Sequence, residues 1–254
     1  MPGENLTRIE AAERAALIRV HSYDVTLDLT TSDRTFNSVT VVKFSSNRAG
    51  ASTFIDAITD KVNRVVLNGV ELDPAEVADN VRIQLPNLAA ENELLIDAEA
   101  LYMNTGEGLH RFVDPADNEV YLYSQFEVPD SRRMFAVFEQ PDLKATFKFN
   151  VIAPKHWKVT SNQPTPAARE LNDGKAVWEF APTPVISSYI TALVAGPYTE
   201  YRSELTSSDG RVIPLGVFCR ASLAEFMNQA DADYIFEKTR EGFEFFENAF
   251  GVPY

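Results

Sequence analysis

A carboxylate and an amide fall on one side of a short aromatic run, and chemistry is possible there. In the stretch YLYSQFEV, Tyr121, Tyr123, Gln125 and Glu127 alternate with Leu122, Ser124, Phe126 and Val128. An extended strand would therefore place the first four on one face. Glu127 offers a negative charge, and Gln125 an adaptable donor and acceptor beside it. Pro129-Asp130-Ser131 breaks the run, Arg132-Arg133 follows, and Glu139-Gln140-Pro141-Asp142 breaks the chain again before Phe147, Phe149 and Val151 resume the period of two. The pattern describes the polar lip of a pocket. Two uses of Glu127 are open on these residues: an ion pair with Arg132 or Arg133 that closes the loop, or a charge held for a ligand. Gln125 has the same choice between a buried amide bonded to backbone and a pocket wall. Tyr121 and Tyr123 have two places open to them, flanking the pocket or in the core, and are read as core, the commoner place for aromatic residues on a strand.

The same residues carry a resemblance. Gln125-Phe126-Glu127, then Arg132-Arg133, then Phe135-Ala136-Val137-Phe138-Glu139-Gln140-Pro141 and Lys144-Ala145-Thr146-Phe147 resemble the Q-F-E-P…A-R…F-P-C-F-D-E-P…K-A-x-F block of the aminopeptidase N family of zinc metallo-aminopeptidases, the gluzincins. Asn104-Thr105-Gly106-Glu107-Gly108-Leu109-His110-Arg111-Phe112 is similar to that family's G-L-x-R segment. The run from Tyr189 to Tyr198 matches further along, and Phe245-Phe246-Glu247 with Phe250-Gly251-Val252-Pro253-Tyr254 resembles the stretch just before the family's G-A-M-E-N loop. The likeness covers nearly the whole chain. It departs at Ala136 and Val137, where Pro and Cys are common, and at Glu139-Gln140, where Asp-Glu is usual; neither change touches Gln125 or Glu127.

The resemblance implies a hydrolase that removes single residues from the free N-terminus of peptides, using zinc-bound water, a Glu base and a Tyr at the oxyanion. By the same likeness Glu127 binds the substrate's α-ammonium, sharing the task with a second Glu from the G-A-M-E-N loop, and Gln125 lines the pocket for the first side chain. The physics fits, because an exopeptidase must tell a charged amine from a neutral amide and a partly buried carboxylate does so. The fold implied is mainly β: an antiparallel saddle- or sandwich-like N-terminal domain over 1–195, then the opening strands and helix of a thermolysin-like α+β catalytic domain over 196–254. The zinc of that family needs H-E-x-x-H on a helix and a third Glu. Here the histidines are His21, His110 and His156, with no i, i+4 pair, and Cys219 is single. The chain is therefore expected to carry no metal ligand and no catalytic residue, with the zinc held in the full-length parent. Its expected partners are peptide N-termini and the remainder of the catalytic domain. Two other readings stay open: a relative that keeps the β domain as a non-catalytic scaffold, and a carbohydrate-binding β-sandwich, which explains the strands but not the run from Gln125 to Phe147.

Composition narrows the classes. Hydrophobic residues make up 45% and charged ones 24% of 254 residues, enough apolar surface for a real core. A net charge of −14 repels phosphate backbones and anionic lipid, so neither nucleic acid nor membrane is an expected partner. One cysteine excludes an internal disulfide framework, and the first twenty residues lack a basic region followed by an apolar core. A cytoplasmic location is expected.

The elements that must position the polar lip follow from periodicity. Thr7 with Glu10 forms a capping box opening a helix to about Arg19, with Ile9, Ala12, Ala16 and Leu17 as its packing stripe. Alternation predicts strands around Tyr23–Leu29, Phe36–Phe44, Thr53–Ile55, Val65–Leu67, Val70–Leu72, Val81–Leu85 and from Leu94, with Asn68-Gly69 as a tight hairpin turn. No crossover helix separates them, which favours antiparallel pairing. Trp157–Ser161, Val177–Phe180, Ser188–Val194, Tyr198–Leu205 and Val212–Arg220 supply further strands, and Gly196-Pro197 is a plausible boundary. Ser222 with Glu225 marks a second capping box. Beyond it, Ala232, Ile235, Phe236, Thr239, Phe243, Phe246 and Phe250 form one aromatic helix face ending at Gly251.

Overall fold

The computed structural model describes residues 5–254. Helix α1 (Arg8–Leu17) leads into β1 (Ile18–Asp28), β2 (Thr35–Ser46), β3 (Thr53–Asp56), β4 (Lys61–Leu67) and β5 (Val70–Leu72). A single helical turn, α2 (Pro74–Val77), precedes β6 (Arg82–Leu85), β7 (Glu91–Leu101), β8 (Gly108–Val113) and β9 (Val120–Gln125). After a 3-10 turn at Ser131–Arg133 come β10 (Thr146–Pro154), β11 (Lys158–Ser161), β12 (Arg169–Glu170), β13 (Lys175–Glu179) and β14 (Leu193–Gly196). The hairpin β15 (Tyr198–Thr206) and β16 (Val212–Arg220) and the long helix α3 (Gln229–Phe250) close the order. The fold is mainly β.

Alternation builds the strands: in β1, Tyr23, Val25 and Leu27 are buried while Asp24, Thr26 and Asp28 between them are half-buried. Eight strands form the main sheet in the order β12-β13-β10-β1-β2-β7-β4-β5. Its pairings are antiparallel except that of β1 with β10, which run parallel from Ser22↔Thr146 to Asp28↔Ile152. The expected antiparallel architecture is thus corrected at one pair. A parallel pair needs a long connection, and the chain supplies it with strands β2 to β9 in place of a crossover helix. A smaller sheet runs β11-β14-β9-β8, and β3 pairs with β6. Asn68 and Gly69 turn the β4–β5 hairpin at φ 53° and 80°.

The core between these strands is aromatic. Tyr23 and Phe147 are register partners and stack 4.7 Å apart, while Phe135 meets Tyr23, Phe126, Phe147 and Phe149 edge-on. Met134–Gln140 is buried throughout, so the loop carrying it is a plug rather than a surface excursion.

Helix α1 has its predicted cap, with Thr7 and Glu10 each bonding the other's backbone N–H. Its packing is different from the prediction. Ile9 is 71% exposed, and the buried residue is Arg14, at 2%. Arg14 Nη1 lies 2.6 Å from Asp56 Oδ2 and its Nε donates to Gln140 Oε1 (3.1 Å), with the guanidinium over the Phe54 ring. Arg82, also buried, covers Phe54 too and donates to Glu10 Oε1 (2.5 Å). Two charge-assisted contacts, and not an aliphatic stripe, dock the helix. The strand expected over Ser188–Val194 is likewise shorter. Ser188–Ile190 is a 3-10 turn because Ser188 Oγ donates to Glu139 (2.6 Å) and Thr191 N–H bonds Ser188 O (3.0 Å).

The chain divides into two compact units: the described residues up to Phe112 with Leu122–Ala195, and Val113–Tyr121 with Gly196–Tyr254. Within the second, Tyr121 is buried, donates to Asp117 Oδ2 (2.8 Å), accepts from Ala221 N–H (2.9 Å) and meets Tyr198 edge-on. A side chain at Gly196 would stand about as close as 3.0 Å to Val120 O and 3.1 Å to Tyr121 and Tyr198, so the start of this unit needs glycine. The cap of α3 is Asn228 with Asp231. The predicted Ser222–Glu225 box instead falls in a 3-10 stretch, Ala221–Phe226, where Ser222 Oγ donates to Asp114 Oδ2 (2.6 Å). Gly251 ends α3 at φ 67°, as its type predicts. Ala232 and Phe236 are buried, whereas Phe245, Phe246 and Phe250 are exposed.

Candidate functional site

Strand β9 is anchored on one face and, from Tyr123 onward, open on the other. Its partner β14 places Val194 opposite Tyr123 and Ala195 opposite Leu122, and Leu193 N–H donates to Ser124 Oγ (2.8 Å). Leu122 is buried; Tyr123 and Gln125, two residues apart on the other side, are exposed. The strand ends at Gln125. Phe126 turns inward against Phe135, and Glu127–Asp130 form a turn closed by Asp130 N–H to Phe126 O (3.1 Å). Glu127 therefore projects from a turn and not from the strand face predicted for it, since Pro129 has no N–H to extend the ladder.

Glu127 is exposed and makes no hydrogen bond or ion pair with another described residue. The arginines that follow it are engaged elsewhere. Arg133 Nε donates to Asp130 Oδ1 (2.8 Å) and its Nη2 lies 3.9 Å from Glu107. Arg132 is buried and its backbone N–H donates to Glu139 Oε2 (2.8 Å). The loop-closing ion pair from Glu127 to these arginines is not formed. Gln125, equally exposed, is not the backbone-bonded buried amide that its type also allowed.

Beneath the turn lies a polar anchor. Glu139 accepts from Ser131 Oγ, from Arg132 N–H and from Ser188 Oγ, and its own N–H donates to Asp56 Oδ2 (3.0 Å). Burial pushes the Glu139 carboxyl above the usual carboxylate range, with the three hydrogen bonds opposing. This carboxylate ties the 3-10 turn after Glu127 to the core, so the turn that carries Glu127 rests on a fixed base.

A loop from Met103 to His110 packs beside it. Met103 N–H bonds Leu109 O (2.9 Å), Arg111 N–H bonds Met103 O (2.8 Å), and Gly106 N–H donates to His110 Nδ1 (3.1 Å). Gly108 lies against Arg133, where a methyl group would stand 2.9 Å from Arg133 Cβ. His110, on β8, stacks on Tyr123 of β9 with ring centroids 4.7 Å apart and planes at 26°. Tyr123, read from the sequence as core, is 41% exposed, while Tyr121 is core as expected. The alternation with Gln125 held that signal; the general tendency of strand aromatics to be buried obscured it.

Among the described residues, no cluster of three or more His, Cys, Asp or Glu side chains is placed to hold a metal. His21 Nε2 lies 3.1 Å from Ser45 Oγ and His110 is committed as above. The described residues do not fit the zinc that the resemblance implies. No helix among the described residues is long and apolar enough to cross a membrane.

Comparison with known proteins adds four findings. Residues 20–190 match the family model described as the peptidase M1 N-terminal domain. The chain is 53% identical to aminopeptidase N of Streptomyces lividans, over all of this chain and 29% of that protein. It is 26% identical to leucyl aminopeptidase of Saccharolobus solfataricus, over 94% of this chain and 28% of that protein. In structure it resembles aminopeptidase A of Legionella pneumophila, solved in complex with aspartic acid, with a TM-score of 0.79 at 18% identity, covering 92% of this chain and 27% of that one. The chain thus spans under a third of the length of these relatives.

Proposed function

The chain belongs to the M1 peptidases and carries their N-terminal domain, and from that membership we propose that it is the N-terminal part of a zinc-dependent aminopeptidase acting on the free N-termini of peptides. In this reading Glu127 receives the substrate's α-ammonium and Gln125 lines the space for the first side chain. Residues 196–254 open the catalytic domain, and zinc and the hydrolytic groups belong to the remainder of that domain. A cytoplasmic place for the whole protein belongs to the same proposal.

One observation carries the reading: Glu127 is a carboxylate without a described partner, held at the end of a strand over a hydrogen-bonded base, while the arginines beside it are occupied. A carboxylate left unneutralised in the protein is free to pair with a ligand's cation. It distinguishes a free α-amine from an acylated one because only the former is charged at neutral pH.

The test is Glu127→Ala in the full-length protein, assayed on aminoacyl arylamides. The Michaelis constant is expected to rise by roughly ten- to a hundredfold, the size of one charge-assisted hydrogen bond at 1.5–3 kcal/mol. An unchanged constant would leave Glu127 a surface residue and remove the proposal. The 254-residue chain alone is expected to show no chelator-sensitive hydrolysis of the same substrates.

A further inference from the structure

The ring pair formed by Tyr123 and His110 is not used by the reading above. Tyr123 stands on the exposed face of β9 two residues before Gln125, so the two side chains project to the same side about 7 Å apart along the strand. His110 covers Tyr123 from β8, 4.7 Å away. The β9–β14 pairing sets the Tyr123 backbone opposite Val194, and the Gly106 N–H that donates to His110 Nδ1 holds the imidazole that stacks on it. The charged groups of the adjoining loop and turn, Glu107, Asp130 and Arg133, are engaged with one another. What faces outward beside Gln125 on the strand is therefore a flat aromatic surface, with the Glu127 carboxylate on the turn beyond it.

We propose that Tyr123, stacked on His110, is a specificity-determining wall of the pocket for the substrate's first side chain, selecting aromatic and long aliphatic residues over small ones. This inference rests on the aminopeptidase reading and on the place it gives Gln125. A fixed aromatic wall gives a ring-bearing side chain an offset or edge-on partner, while a methyl side chain cannot reach it. Because the stack exists before substrate arrives, little ordering is needed on binding.

The experiment compares kcat/KM of the full-length protein for phenylalanyl, leucyl, arginyl and alanyl arylamides. In Tyr123→Ala the phenylalanyl to alanyl ratio is expected to fall by about five- to tenfold, matching the contribution of one aromatic pair. Tyr123→Phe, which keeps the ring, is expected to hold the ratio. His110→Asn keeps an acceptor for Gly106 but loses the stack, and is expected to lower the ratio less. A fall of equal size for all four substrates, or an unchanged ratio, overturns the wall; so does an effect confined to the arginyl substrate. The two proposals fail separately. Loss of discrimination in Tyr123→Ala without any response to Glu127→Ala removes the amine site alone, the converse removes the wall alone, and a full-length protein inactive on the whole panel removes both.

Discussion

At the residue scale, the chain places charge where packing alone would put carbon. Arg14 and Arg82 are both buried over Phe54, and the acids that answer them are Asp56 and Glu10. Glu10 also caps α1, so one carboxylate joins the helix start to a buried cation. The Arg82 guanidinium first, then the Thr7 backbone and hydroxyl, hold the Glu10 carboxyl down at about 2, against an ordinary 4.5. A carboxyl depressed on folding stabilises the protein fully above its unfolded value and loses that contribution as pH falls through the folded value. The window is therefore about 4.5 down to about 2. Glu10→Gln is expected to cost about 1–3 kcal/mol at neutral pH, because Arg82 stays buried with a weaker partner. Thermal unfolding followed across that window should show a shallower pH dependence in the variant. Parallel pH profiles would mean that Glu10 contributes no ionic stabilisation.

At the element scale, the sheets were legible in the sequence because their signal is local. Tyr23-Val25-Leu27, the Asn68-Gly69 turn and the separate strands β15 and β16 each follow from residue types within one short window. What escaped depends on contacts far along the chain. Arg14 is buried because Asp56 and Gln140 converge on it, and β1 runs parallel to β10 because of the connection between them; neither fact leaves a trace in α1 or β1 alone. The cap of α3 differs from the predicted Ser222 for a related reason: the Ser222 hydroxyl has a distant partner in Asp114. Of the candidate site, the sequence offers Gln125 and Glu127 as residue types, whereas the turn that presents Glu127 and the exposure of Tyr123 are not readable from it, since period two does not say where a strand stops. The loop beside that turn is itself testable. A Cβ at Gly108 (φ +59°) would stand 2.9 Å from Arg133 Cβ and 3.2 Å from Met103 Cγ, whereas one at Gly69 (φ +80°) would meet nothing within 4 Å. Both Gly→Ala changes incur the backbone strain of positive φ, of order 1 kcal/mol. Only Gly108→Ala adds a steric clash, so its urea midpoint should fall clearly further than that of Gly69→Ala. Equal midpoints would show that the loop yields to Arg133 without cost.

At the scale of the whole molecule, an apolar face and a large negative charge act against each other. Phe246, Phe250, Val252 and Tyr254 are exposed, and with Phe243 they line a cavity of about 280 Å³. Contiguous exposed aromatics of this kind drive association or bind apolar dyes. The net charge of −14 opposes association through long-range repulsion. Salt separates the two, because the screening length shrinks from about 30 Å at 0.01 M to about 3 Å at 1 M while apolar contact is not weakened. The 254-residue chain is therefore expected to sediment as monomer at low salt, to self-associate as salt rises, and to enhance the fluorescence of an apolar dye throughout. Phe246→Ser with Phe250→Ser should abolish the salt-driven association and most of the dye signal, while leaving the β-sheet circular dichroism unchanged because neither ring belongs to the buried set. A double variant that associates as the parent does would locate the contact elsewhere, on the sheet edges, and would mean that the face of α3 does not govern how this chain meets another surface.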